Sequence, residues 1–247
     1  MSRKTMNTKG ETEANAKELG NRKKFTPHDL VSFVPKTLNQ DLFFKAYEKG
    51  TPVISLRGFA GVGKTAIAFY AGLTSVFDES SEFDRIVMVR SAVESRKMGF
   101  LPGSVDEKAE AYEAPYKALT EQFVTFKTAY QNMKALGYYD FITTSYLRGI
   151  TLDNCVVIVE ESQNLDYAEL HTIMTRVGVN SRIIFTGDSR QDDLKRQREK
   201  SGFDKFHKVI AQMPKGYVDI IDFTVEDVVR SGVVKEFLIA DHEFGED

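Results

Sequence analysis

The chain has 247 residues, 42% apolar and 28% charged, with a net charge of −3; this suffices for one α/β domain with a sizeable core and argues against wholesale disorder and a second full domain. No apolar run approaches the roughly 18 residues that cross a bilayer, and the N-terminus lacks a signal-peptide hydrophobic region, so export and membrane insertion are disfavoured and a cytoplasmic setting is expected. A single cysteine, Cys155, excludes an internal disulfide, and the slightly acidic balance gives no overall nucleic-acid signature, although basic residues gather at 1–24 and 195–208.

Residues 1–24 are rich in Thr, Asn, Lys and Glu without apolar periodicity, and a disordered tail is expected there, followed by one domain over 25–247. Short β-rich runs at 52–56, 86–89, 141–144, 155–159, 183–185 and 217–221 then alternate with helical stretches at 65–76, 113–136, 166–177 and 204–213. Residues 223–240 read as a last amphipathic helical region. Near-continuous apolar strands in alternation with helices predict the α/β class, a mostly parallel sheet with helices on both faces.

The first strand runs into "GFAGVGKT", Gly58 to Thr65, and then into a helical pattern. This is G-x-x-x-x-G-K-[ST] in the context its chemistry requires. The glycines let backbone N–H groups turn inward around a polyphosphate, and the helix N-terminus adds the positive end of its dipole. Lys64 would neutralise the β and γ phosphates, and the Thr65 hydroxyl would reach Mg2+.

The fourth strand run ends "VVIVEESQN". A P-loop enzyme needs a second strand, expected next to the first, that offers a carboxylate to Mg2+, and hydrolysis needs a residue that positions the attacking water. Glu160 is placed for the first task and Glu161 for the second, with Ser162, Gln163 and Asn164 as readers or relays of the γ-phosphate. N-capping of the following helix is the alternative use of these acids. A third strand, 183–185, ends in Thr186, Asp188 and Gln191, at the carboxyl edge where open α/β sheets bind ligands; an Asx turn is the alternative there.

The spacing of these motifs, with "VRSAVESRKMGFLPGSVDEK", "SYLRGITLDNCVVIVEESQN", "MTRVG", "TGDSRQDDL" and "DVVRSGVV" around them, resembles the PhoH family, whose ATPase domain is similar to the first RecA-like domain of superfamily 1 helicases. The resemblance implies a RecA-like P-loop NTPase that binds ATP with Mg2+ at Gly58, Ala60, Gly61, Val62, Gly63, Lys64, Thr65 and Ala66. It implies hydrolysis through Glu160 and Glu161, with Asp188 and Gln191 coupling nucleotide state to RNA or single-stranded nucleic acid. Gln40, in "NQ", resembles the family's adenine reader. The family usually has Asp then Glu where this chain has Glu160 then Glu161, and "GTGKT" where it has "GVGKT" with Val62.

With one RecA-like domain, an arginine finger would come in trans, which implies a homo-oligomer, a hexameric ring; Arg176 ranks before Arg148 and Arg230 for that role. Arg90, Arg96, Lys97 and the stretch 195–208 are candidate contacts to nucleic-acid phosphates, and Tyr112, Tyr116 and Tyr146 candidate stacking partners. Two other readings share the cradle: a P-loop kinase with 195–200 as a basic lid, and a nucleotide-dependent assembly protein with little turnover. Glu161, directly after the metal carboxylate, speaks for hydrolysis over phosphoryl transfer.

Overall fold

The computed structural model describes residues 24–91, 105–188 and 202–244, with side chains for all of these except 105–111 and 243. Residues 1–23 of the expected tail, Arg96, Lys97, Gln191 and residues 195–201 fall outside them. Six strands, β1 (Val53–Gly58), β2 (Arg85–Arg90), β3 (Tyr139–Thr143), β4 (Cys155–Val159), β5 (Arg182–Gly187) and β6 (Val218–Phe223), form one sheet in the order β3-β2-β4-β5-β1-β6. Every neighbouring pair is parallel. The fold is therefore α/β, as the strand and helix alternation predicts, and each of the six apolar runs is a strand.

Between the strands run α1 (Leu38–Glu48), α2 (Lys64–Val76), α3 (Val105–Phe123), α4 (Ala129–Leu136), α5 (Tyr167–Met174) and α6 (Phe203–Ile210), with α7 (Gly232–Phe244) after β6. The two-residue period of the strands divides their side chains between two cores. Val156 and Ile158 of β4 join one with residues of α1 to α4, whereas Cys155, Val157 and Val159 join the other with Leu170 and Ile173 of α5 and Phe206 and Ile210 of α6. Both faces are thus covered, which is why the strands carry apolar residues at consecutive positions. Among the described residues no helix is long and apolar enough to cross a membrane.

Three expectations need correction. The helix expected over 113–136 is two helices, α3 and α4. The chain opens at residues 123–125 because the segment before α1 pairs with it: Leu30 bridges Val124, Val31 N donates to Phe123 O at 2.8 Å, and Thr125 N donates to Asp29 O at 3.0 Å. The region 223–240 is α-helical only from Gly232; before that, Val225–Asp227 forms a single 3-10 turn that Asp227 closes by accepting from Thr224 N at 2.9 Å, and Val229 N donates to Gly61 O at 3.2 Å. Backbone bonds made elsewhere cannot also extend a helix.

The third correction concerns the sheet. β4 is not next to β1, because β5 lies between them, Ile183 registering with Val53 on one side and with Val157 on the other. The third strand end is therefore the middle of the site.

Candidate active site

β1 delivers the Gly58–Thr65 loop at the carboxyl edge of the sheet. Gly58 has φ 108°, and a Cβ there would lie 2.0 Å from Phe223 O, so only glycine lets the loop leave β1 beside β6. Gly63 is the left-handed N-cap of α2 and supplies no side-chain cap, which leaves the first N–H groups of α2 facing the loop. The Lys64 ammonium donates to Gly58 O and, at 2.6 Å, to Phe59 O. Gln40 braces the loop from behind. It is buried, its Nε2 donates to Val62 O at 2.9 Å, and its Oε1 accepts from Lys36 N at 2.8 Å.

Glu160 stands at the carboxyl end of β4, its backbone N bonded to Val89 O at 2.9 Å. Its two oxygens are divided between opposite sides. Oε1 accepts from Thr65 Oγ1 at 3.0 Å, and Oε2 accepts from the Tyr116 hydroxyl, with Arg90 Nε 3.5 Å away. Burial pushes the Glu160 carboxyl above its ordinary range, while Arg90, Tyr116 and Thr65 pull the other way. The pair Thr65 and Glu160 presents hard oxygen donors from two elements, which fits Mg2+, an ion that keeps several waters and one or two protein oxygens.

Three described non-glycine residues have positive φ: Asn154, Asn180 and Glu161. Asparagine tolerates that region; glutamate does so at a cost of about 1–2 kcal/mol. At φ 51° and ψ 42°, Glu161 turns back toward the site. Its Oε2 accepts from Gln163 Nε2 at 2.5 Å, and Gln163 Oε1 accepts from Asp188 N at 3.0 Å. Ser162 Oγ donates to Thr186 O at 2.8 Å. The helix-capping alternative for these acids is filled elsewhere, since Asp166 caps α5 in a reciprocal capping box with Glu169.

One cleft of about 350 Å3 is lined by Ala60, Gly61, Gly63, Lys64, Thr65 and Ala66 from the loop and α2. Glu160 and Glu161 line it after β4, Thr186, Gly187 and Asp188 at the end of β5, and Pro115 and Leu119 from α3. Gly58, Val62 and Gln40 are not among the residues that line it. Arg176 is at the other end of the sheet, where its carbonyl accepts from Leu152 N at 2.8 Å ahead of β4. Arg148 is exposed beyond β3. Arg230, the third candidate for the in-trans finger, lines the cleft of its own chain.

Two nucleic-acid candidates are also corrected. Tyr116 is fully buried and spends its hydroxyl on Glu160, so it is no stacking platform; Arg90 is held against the same carboxylate. Tyr112 is half-buried against Phe141 at 6.3 Å, and Tyr146 is 72% exposed. What sequence reasoning missed is the support: Tyr116 and Arg90 behind Glu160, and Gln163 as the brace of Glu161. No local pattern marks Tyr116, named above as a stacking candidate, as the partner of Glu160.

The model of the PhoH-like protein family matches residues 32–240. A PhoH-like protein of Mycobacterium leprae is 31% identical over 214 residues, covering 86% of this chain and 59% of that protein. Another, of Synechocystis, is 33% identical over 207 residues, covering 83% of this chain and 61% of that protein. The chain thus spans about 60% of the length of these curated relatives. Among solved structures, the large terminase of a thermophilic bacteriophage in complex with ADP is similar with a TM-score of 0.48 and 12% identity, over 83% of this chain and 49% of that one.

Proposed function

The chain belongs to the PhoH-like protein family, and from that premise we propose that it is a Mg2+-dependent ATPase whose nucleotide cycle is coupled to RNA or single-stranded nucleic acid. The observation that carries the reading is the cleft itself: Lys64, Thr65, Glu160, Glu161 and Asp188, drawn from three distant segments, line one volume. In this reading the backbone N–H groups around Gly61 and Gly63 and the Lys64 ammonium hold the phosphates. Thr65 and Glu160 would hold Mg2+, which would supply positive charge against that of the phosphates. Glu161 orients the attacking water and receives its proton, with Gln163 fixing the carboxylate that does so.

The link from Glu161 through Gln163 to Asp188 N supports a route by which β5 senses the state of the γ-phosphate, with Gln191 following outside the described residues. Exposed Tyr146 and Arg148, beyond the carboxyl end of β3 on the same sheet edge as the cleft, suit a strand with π-faces and phosphates. Arg176, away from its own chain's cleft, would serve the cleft of another copy in a homo-oligomeric, hexameric ring working in the cytoplasm, and Gln40, to read adenine, would have to exchange the bonds its amide makes to Val62 O and Lys36 N.

The test is phosphate release from ATP with and without single-stranded RNA or DNA, in the wild type, Lys64→Ala and Glu161→Gln. Both variants should lose turnover, and Glu161→Gln should still bind ATP. Turnover indifferent to both substitutions would remove the site; turnover indifferent to nucleic acid would remove only the coupling.

A further inference from the structure

We infer that Arg230 is an arginine of its own chain's phosphate site: its guanidinium binds the outer phosphates of a nucleotide held by Gly58–Thr65, in cis. The inference rests on the nucleotide reading above and adds a residue to it.

The path of the chain brings Arg230 there. β6 runs beside β1, and the turn after it is fixed by Asp227, which accepts from Asn39 Nδ2 at 2.6 Å while the same amide donates to Asp222 O at 3.1 Å. Val228 is buried in the core, and Val229 N donates to Gly61 O at 3.2 Å. The residue that follows must therefore emerge over the crest of the loop. A Cβ at Gly61 would stand 3.0 Å from Arg230 Cγ, 3.8 Å from its Nε and 3.1 Å from Leu238 Cδ1 of α7. The arginine stem thus lies in contact with the loop, in space that the absent side chain of Gly61 leaves open.

Charge and chemistry agree with that placement. Arg230 lines the same cleft as Lys64, Glu160, Glu161 and Asp188, and is an exposed residue. Among the described residues it makes no hydrogen bond or ion pair that would hold it away from a ligand. A guanidinium presents a planar fork of donors matched to two phosphate oxygens, so the position favours arginine over lysine. Lys64 grips the phosphates from inside the loop and Arg230 closes over them from outside; a triphosphate, which reaches further along the cleft, gains more from the second grip than a diphosphate.

Two measurements test this. Titration calorimetry with adenosine 5′-(β,γ-imido)triphosphate and with ADP should show Arg230→Ala weakening the triphosphate by at least about tenfold and ADP by clearly less, with Arg230→Lys between Ala and wild type. Equal losses for both nucleotides, or none, would overturn the assignment. Second, Lys64→Ala and Arg230→Ala subunits are assayed for ATP turnover singly and after co-assembly. Each should be deficient alone, and the mixture should remain so, because no chain then carries both groups. Recovery on mixing would show an arginine acting in trans and sink the proposal. If the wild type turns over no ATP, the hydrolysis reading fails by itself, and the calorimetric comparison alone decides Arg230.

Discussion

Thr65 and Glu160, 95 positions apart in the chain, meet through a 3.0 Å hydrogen bond from Oγ1 to Oε1 across the end of β5. The other carboxylate oxygen is held from behind by the Tyr116 hydroxyl and Arg90. A glutamate has one more rotatable bond than an aspartate, and these two anchors remove that freedom. Tyr116→Phe keeps the buried ring and deletes the anchor. We expect a stability loss of about 1–2 kcal/mol and a higher Mg2+ concentration for half-maximal turnover, with the second effect reduced when Glu160→Asp is added. Denaturant melts and Mg2+ titrations of the single and double variants measure both; additive effects would leave Tyr116 a packing residue only.

Gln163 spans Glu161 Oε2 and Asp188 N with the two ends of one amide. Gln163→Leu preserves bulk and leaves the buried Asp188 N–H without its acceptor, at a cost of about 1–3 kcal/mol. Because a misplaced base loses rate steeply, turnover should fall roughly tenfold to a hundredfold while ATP binding stays near wild type. The ratio of kcat to nucleotide affinity in this variant reads the effect directly.

His207 is buried on α6 with Nδ1 2.8 Å from Phe203 O and Nε2 2.6 Å from Ser55 Oγ. Nδ1–H donates to the carbonyl, and Nε2 accepts from the serine. Burial lowers the imidazole pKa, with the Phe203 carbonyl opposing and Arg57 assisting. The folded value therefore lies below the unfolded value of about 6.5. Its stabilising contribution is complete above about pH 6.5 and declines as pH falls toward the folded pKa, by at most about 1.4 kcal/mol per pH unit. Urea midpoints should drop between about pH 7.5 and 5.5, and His207→Gln should flatten that drop; parallel curves would contradict the assignment.

Gly58→Ala would set a methyl 2.0 Å from the Phe223 carbonyl. Backbone cannot step aside as a side-chain tip can, so β1 and β6 must part locally. The expected result is a lower melting temperature together with lost nucleotide binding. By contrast, Arg57→Ala, which breaks a bidentate pair with exposed Asp222 at 2.7 Å, should cost at most about 1 kcal/mol.

The strands were legible because both faces of the sheet are buried, which writes each strand as an apolar run; β4 matches its expected span, Cys155–Val159, at both ends. Their order was not legible, since nothing in β5 itself says that it pairs with both β1 and β4. α1 escaped notice because Leu38 is 71% and Leu42 42% exposed while Gln40 is buried, which blurs the apolar stripe. The loop and the acidic pair are dense local signals. Tyr116 and Arg90 act through contacts made across the fold, and Gln163, though close in sequence, gives no sign there of which bonds its amide makes.

Because the turn at Gly58 is shaped against Phe223, and Val229 N is tied to Gly61 O, the cradle is templated by a strand made after the five other strands of the described sheet. A ribosome-bound fragment lacking β6 would carry the complete signature "GFAGVGKT" and yet lack the neighbour that sets its shape. Nascent chains should thus stay idle toward nucleotide until β6 has emerged, well after the loop itself has been made.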